Sequence, residues 1–331
     1  MGFMKQSVLS SCVVLAALAV CSLNVTVARA DEDGGSSKVK VNALLQSWFY
    51  DDVTTSMDSF ELRRAEVNFS GNISDMTSWF LMADLTHPGA PLEDLGINYK
   101  IMSGLDLTVG QFMKIKTAES LDSKEALWFP DLSSVALYFG DTRATGAKLT
   151  WSNDMAKVSV MTDNGTRGID TTAAKDLRVR ADLKPTSMFN VGAYYSTADS
   201  NFSTAYGYGV NAGVSISDLA IRAEWDSALY NSVTTSGIVA DAAYSLCSSW
   251  QVAARWEEIM PGTTGATNGS DYGLGVNWLL TKNHSKIQAL YQVFNNLTTP
   301  TSPTETGTNG VVAGAGQASG PRFILAFQTA I

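Results

Sequence analysis

From residue 38 onward, apolar and polar side chains alternate with a period of two in one segment after another. That is the repeat of an extended strand with one apolar and one polar face. Leu177, Val179, Ala181 and Leu183 share one parity, opposite Arg178, Arg180 and Asp182. Leu219, Ile221, Ala223 and Trp225 stand opposite Arg222, Glu224 and Asp226. Trp250, Val252, Ala254 and Trp256 oppose Gln251, Arg255 and Glu257, and Tyr272, Leu274, Val276 and Trp278 oppose Asp271, Gly273, Gly275 and Asn277. The last segment sets Phe323, Leu325 and Phe327 against Arg322, Ala326 and Gln328. Each of these apolar faces is free of charge. In the stretch 60–71, Ala65, Val67 and Phe69 oppose Arg64, Glu66, Asn68 and Ser70, and by that parity Arg63 points with the apolar side.

The pattern predicts sixteen strands, near 38–50, 59–70, 76–86, 93–101, 104–113, 143–152, 155–163, 175–184, 187–196, 206–216, 218–226, 236–246, 248–258, 271–281, 285–294 and 320–331. Most have the length that a tilted strand needs to cross a bilayer. Tight turns at 71–75, 102–103, 153–154, 185–186, 217, 247 and 282–284 alternate with longer segments at 51–58, 87–92, 114–142, 164–174, 197–205, 227–235, 259–270 and 295–319. A soluble sheet also alternates apolar and polar. Long strands joined by short and long connections in turn instead predict an all-β fold, a transmembrane antiparallel β-barrel with lipid outside and water inside. Both chain ends then lie on the side of the tight turns. Aromatics near the strand ends (Tyr208, Trp225, Trp250, Trp256, Tyr272, Trp278) suit the membrane interfaces.

Two of the long connections differ in kind. Residues 295–319 are rich in Thr, Gly and Pro and read as a mobile external loop. Residues 114–142 contain Leu127-Trp128-Phe129-Pro130 and Val135-Ala136-Leu137-Tyr138-Phe139, too apolar to stand in water. They pack either inside the lumen against the wall or outside, on neighbouring loops or another subunit.

Composition adds a compartment. Residues 1–30 carry Lys5, an apolar run from Val8 to Val20 and Ala28-Arg29-Ala30, the parts of a secretory signal peptide. A lipoprotein site at Leu18-Ala19-Val20-Cys21 is the other reading. Residues 31–37 form a flexible acidic leader, and the barrel domain spans 38–331. Cleavage after Ala30 removes Lys5, Arg29 and no acid, leaving 21 basic against 32 acidic residues, a charge of −11. Only Cys247 remains, so no intrachain disulfide can form. The acidic balance argues against nucleic acid as a partner. Outer-membrane lipid and small anions or polar solutes are the expected partners.

Three blocks now carry a family likeness. Phe60-Glu61-Leu62-Arg63-Arg64-Ala65 with Asn68-Phe69-Ser70-Gly71 resembles the F-x-L-R-R-A…F-x-G block of the phosphate-selective porins O and P. Ile97-Asn98-Tyr99-Lys100, Gly104-Leu105 and Leu107-Thr108-Val109-Gly110-Gln111-Phe112 look like the next hairpin and its G-Q-F motif. Ser123-Lys124-Glu125 and Arg143-Ala144-Thr145-Gly146 are similar to the S-K-x and R-x-T-G elements. The likeness covers roughly 38–152. It implies a sixteen-stranded, trimeric outer-membrane channel with its third loop folded inward. It also implies an anion path lined by Arg63, Arg64, Lys114, Lys116, Lys124 and Arg143, to which lumen parity adds Arg178 and Arg180. Met113 departs from the family, in which many members carry Lys there, and Ile331 stands where barrels commonly end in Phe or Trp.

No enzyme constellation appears. His87 and His284 sit in turn-like contexts without metal or hydrolase spacing, so no cofactor and no catalytic residue is expected. The remaining readings are a structural or adhesive barrel with a closed lumen, and a barrel hydrolase.

Overall fold

The computed structural model describes residues 38–52, 57–87, 89, 91–169, 175–197, 206–230, 232–262, 266–298, 312–313 and 319–331. The signal peptide, the leader and most of 299–318 lie outside the described residues. The strands are β1 (Lys40–Asp52), β2 (Met57–Ser74), β3 (Thr77–Asp84), β4 (Leu92–Met102), β5 (Leu105–Met113), β6 (Arg143–Ser152), β7 (Ala156–Asp163) and β8 (Asp176–Leu183). They continue with β9 (Phe189–Thr197), β10 (Tyr206–Ile216), β11 (Leu219–Tyr230), β12 (Val233–Ser245), β13 (Trp250–Met260), β14 (Gly269–Thr281) and β15 (Ser285–Asn295). A two-residue pair, β16 (Leu297–Thr298) with β17 (Val312–Ala313), precedes the closing strand β18 (Gly320–Ala330).

Every neighbour in the large sheet is antiparallel, and β1 pairs with both β2 and β18, so sixteen strands close into a barrel. Closure leaves no strand edge unpaired, the condition for strands to cross hydrocarbon. Within β14 the two faces separate sharply: Leu274 is 66% exposed, whereas Asp271 is fully buried. On a closed sheet the buried face is the inner one. Apolar residues such as Phe60, Leu177, Val179, Ile221 and Phe327 are exposed outward, while Arg178, Arg180, Asp241, Arg255 and Glu257 are buried inward. Trp250 and Trp278 stack at 5.6 Å on the outer side of the tight-turn end.

Two predicted boundaries move. The turn placed at 71–75 is mostly strand, because β2 runs to Ser74. The connection placed at 227–235 is also strand: Leu229 pairs with Thr234 and Tyr230 with Val233. Ala228 and its partner Thr235 lie on the inner face there, and Ser227 and its partner Ser236 on the outer one. Gly104 in the β4–β5 turn has φ +77, and a Cβ there would stand 2.5 Å from the Ser152 carbonyl oxygen, so this turn needs glycine.

Candidate functional site

The connection 114–142 carries two short α-helices, α1 (Ala118–Leu121) and α2 (Ser134–Phe139), with a single 3-10 turn (Lys124–Ala126) between them; α2 is capped by the Ser133 hydroxyl accepting from the Ala136 N–H. Most of its large apolar side chains are covered, Leu121 being the exposed one. Leu127, Leu132, Val135, Ala136, Leu137 and Phe139 cluster with inward residues Ala228, Val239, Ile259 and Phe294. Phe129 packs with Trp48, Ala243, Ala253, Leu290, Ile324 and Ala326. Gly237 on β12 makes room for α2: a Cβ there would lie 2.7 Å from the Phe139 ring.

Its backbone is held as well. The Lys286 Nζ donates to the Leu127 carbonyl at 2.6 Å and the Asn277 Nδ2 to that of Trp128 at 2.9 Å. The Gln46 and Gln328 amides donate to the carbonyls of Pro130 and Glu125 at 2.8 and 3.1 Å. In the other direction, Glu224 accepts from the Ala118 N–H at 2.6 Å and Glu257 from the Val135 N–H at 3.2 Å. Donors and acceptors from β1, β11, β13, β14, β15 and β18 thus answer polar groups that burial would otherwise leave unsatisfied.

Charge pairs complete the attachment. Arg63 donates to Asp131 Oδ2 at 2.6 Å and Arg64 to Oδ1 at 2.5 Å. Burial opposes the charge on Asp131, but the two guanidiniums outweigh it and hold the carboxyl well below the usual carboxylate range. Glu119 Oε1 receives Arg222 at 2.6 Å and Arg255 at 2.5 Å, while Oε2 accepts from the Ser133 N–H. Against the cost of burial, Arg255, Arg222 and that N–H lower its pKa to about 2. The same arginines flank Asp241, because Arg222, Asp241 and Arg255 occupy one register row across β11, β12 and β13.

Arg63 corrects the parity expectation. It is 4% exposed, points inward and lies 5.2 Å over the Trp48 ring. The ladder jumps from Gln46–Arg64 to Ser47–Leu62, so Arg63 is the extra residue of a β-bulge. Phe60 and Leu62 face outward on one side of the bulge, and Ala65 and Val67 have the opposite parity on the other. That switch of apolar parity was readable in the sequence and marks the bulge.

The other predicted residues fall as follows. Lys114 and Lys116 are buried. Lys124 reaches Asp141 at 3.5 Å, and Arg143 reaches Glu93 at 2.5 Å and Asp94 at 2.7 Å. Arg178 is fully buried, bonded to Asp163 and, at 2.9 Å, to Asp176. Arg180 pairs with Asp182 at 2.6 Å and donates to the Lys116 carbonyl. Arg63, Arg64 and Arg180 therefore meet segment 114–142, to which the three lysines belong, whereas Arg178 pairs with Asp163 and Asp176 of the β7–β8 wall. Glu119 and Asp131, the acids on which four arginines converge, went unremarked in the sequence because nothing local distinguishes them from solvated loop acids.

Between α1, Trp128 and the walls of β7–β12 lies a cavity of about 540 Å³ near the tight-turn end. Asp122, Trp128, Asp182, Asn190, Asn211 and Arg222 line it. No group of His, Cys, Asp and Glu able to hold a metal occurs among the described residues.

The fold is shared with solved outer-membrane proteins at low identity. OmpT of Vibrio cholerae in its trimer form superposes with TM-score 0.64 at 12% identity, over 90% of this chain and 100% of that one. An anion-selective porin from Comamonas acidovorans gives TM-score 0.66 at 9% identity, over 89% and 100%. The outer membrane channel DcaP of Acinetobacter baumannii gives 0.64 at 11%, over 92% and 100%. A search of curated proteins finds no match. The model of the family described as phosphate-selective porin O and P matches residues 45–243, more than half of the sequence and including the bulged double-arginine strand, so the chain belongs to the phosphate-selective porin O and P family.

Proposed function

We propose that this porin of the bacterial outer membrane is a weakly selective, water-filled channel for small hydrophilic solutes, narrowed by segment 114–142 folded across its lumen. A sixteen-stranded barrel encloses more space than wall side chains can fill, so an aqueous path results unless something occupies it. Such a channel does no chemistry. It lowers the cost of carrying a hydrated solute through a low-dielectric sheet, and wall charge biases which sign enters.

The observation that carries weak selectivity is the pairing of the cations. Arg63, Arg64, Lys124, Arg143, Arg178 and Arg180 each have a carboxylate within ion-pair distance. A paired cation presents a short dipole to a passing ion, and its field falls away faster than that of an isolated charge. The anion path expected from the resemblance becomes, in this reading, a mixed wall that accepts polar solutes of either sign. The decisive measurement is the reversal potential in a potassium chloride gradient, with phosphate then added against the chloride current. A small potential and no block by phosphate are expected; strong anion preference with block overturns the reading.

Fold and family point to a channel rather than to an enzyme. Turnover is not expected, and robust ester hydrolysis by the purified protein would overturn that. A homotrimer is proposed by analogy with the trimer form of OmpT of Vibrio cholerae. Cross-linking in native detergent, giving a three-copy band that collapses on heating, is the check.

A further inference from the structure

Two acidic side chains stand out among the attachments of segment 114–142. Asp131 takes one arginine on each carboxylate oxygen, both from β2. Glu119 takes two arginines on one oxygen, from β11 and β13. The strand order places β2 six strands from β12, the centre of the second grip, by the shorter way round the ring. The segment is therefore tied to two well-separated groups of strands, with Leu127 and Phe129 buried between the tied residues. Glu119 lies on α1 at the edge of the 540 Å³ cavity, and the next exposed residues, Leu121, Asp122 and Ser123, border open space.

We infer that Glu119 and Asp131 are the positioning residues of the constriction: gripped by Arg222 with Arg255 and by Arg63 with Arg64, they set the aperture and steady it, and they are not elements of the ion filter. The inference rests on the reading that segment 114–142 lies across the lumen. Arg222 also donates to Asp122 at 3.0 Å and lies 4.8 Å over the Trp128 ring, so the same guanidinium orders both edges of the cavity. Arg255 lies 4.3 Å over Phe129 and reaches the Asp131 carbonyl at 3.4 Å, which links the two grips through one side chain. Losing a carboxylate charge from either grip removes the charge by which two wall arginines hold the segment, and leaves Arg222 and Arg255 to Asp241 on the wall and Arg64 to Glu66. The segment then gains undocked states, which a single-channel recording sees as flicker or substates.

The experiment is planar-bilayer recording of Glu119→Gln, Asp131→Asn and the double variant, each folded to the heat-modifiable form of the wild type. Transitions about tenfold or more frequent than in wild type are expected, the least that losing a buried ion pair implies for a two-state equilibrium. The reversal potential is expected to stay unchanged. A quiet double variant, or one whose reversal potential moves without flicker, overturns the inference. If a neutral variant fails to fold, Asp131→Glu and Glu119→Asp keep the charge and shift it by one methylene; they must flicker in weaker form, and wild-type quiet from both overturns the inference equally. The underlying reading is checked separately with Ala126→Cys in a Cys247→Ser background. A charged thiol reagent lowers the current if the segment borders the path, and an unaffected current removes that reading while leaving the flicker result to stand or fall alone.

Discussion

The two grips on segment 114–142 reach the same chemistry by opposite means. On β11–β13 the sheet is regular: Arg222, Asp241 and Arg255 lie side by side because antiparallel register puts them there, and Glu119 of segment 114–142 joins the pair of arginines. On β2 the sheet is irregular: consecutive arginines, which alternation should send to opposite faces, both point inward because Arg63 is a bulge residue. A regular row shares each arginine between a wall acid and a loop acid. The bulge turns two consecutive arginines onto Asp131, with Arg64 also held by the Gln46 amide oxygen at 2.5 Å and lying 3.7 Å from Glu66 on its own strand. The lesson is that a bulge concentrates charge on one strand, whereas a row spreads it across three and couples it to the wall's own stability.

That difference can be broken experimentally. The largest effect belongs to Arg255→Ala. Arg255 is 5% exposed and its loss leaves Asp241 and Glu119 with Arg222 alone, so a destabilisation of about 3–5 kcal/mol is expected from urea unfolding in detergent. Gly237→Val comes next. Its Cβ falls 2.7 Å from Phe139 and 3.1 Å from Val135, so α2 must move, and single-channel conductance is expected to change with the barrel intact. Deleting Arg63 sharpens the comparison: Glu61, Arg64 and Glu66 then alternate with Leu62 and Ala65 without a break. The barrel should fold with Asp131 held by one arginine, and flicker intermediate between wild type and Asp131→Asn is expected.

The smallest effect is that of moderate acid. Glu119 faces Arg222, Arg255 and the Ser133 N–H, with Asp122, Asp241 and Glu224 nearby, and its pKa is lowered to about 2. A depressed carboxylate pKa contributes stability that is complete above its unfolded value and is lost only as pH falls through the folded one. Flicker is therefore expected to stay at the wild-type level from about pH 7 to about pH 4, and to rise only near pH 2. Onset of flicker near pH 5 would show that another group controls the docking.

How far the sequence reached depends on which interaction was local. Alternation, strand length and the spacing of turns are properties of the chain within a dozen residues, and lipid imposes them on every strand, so the barrel and its inner and outer faces were legible before any coordinates. The arginine–aspartate row was half legible: each member had lumen parity, but their alignment depends on register between strands. The bulge left a trace in the parity switch between Leu62 and Ala65, which the regular reading of Arg63 overrode. Glu119 and Asp131 left none. What makes them special is long-range closure, with Asp131 67 positions from Arg64 and Glu119 136 from Arg255. Such a meeting depends on the ring being shut, because only a closed wall brings β2, β11 and β13 to bear on one connection. Strand identity and facing, Arg63 at the bulge apart, were thus decided by period and hydropathy, and the pairing of charges was decided by tertiary structure alone.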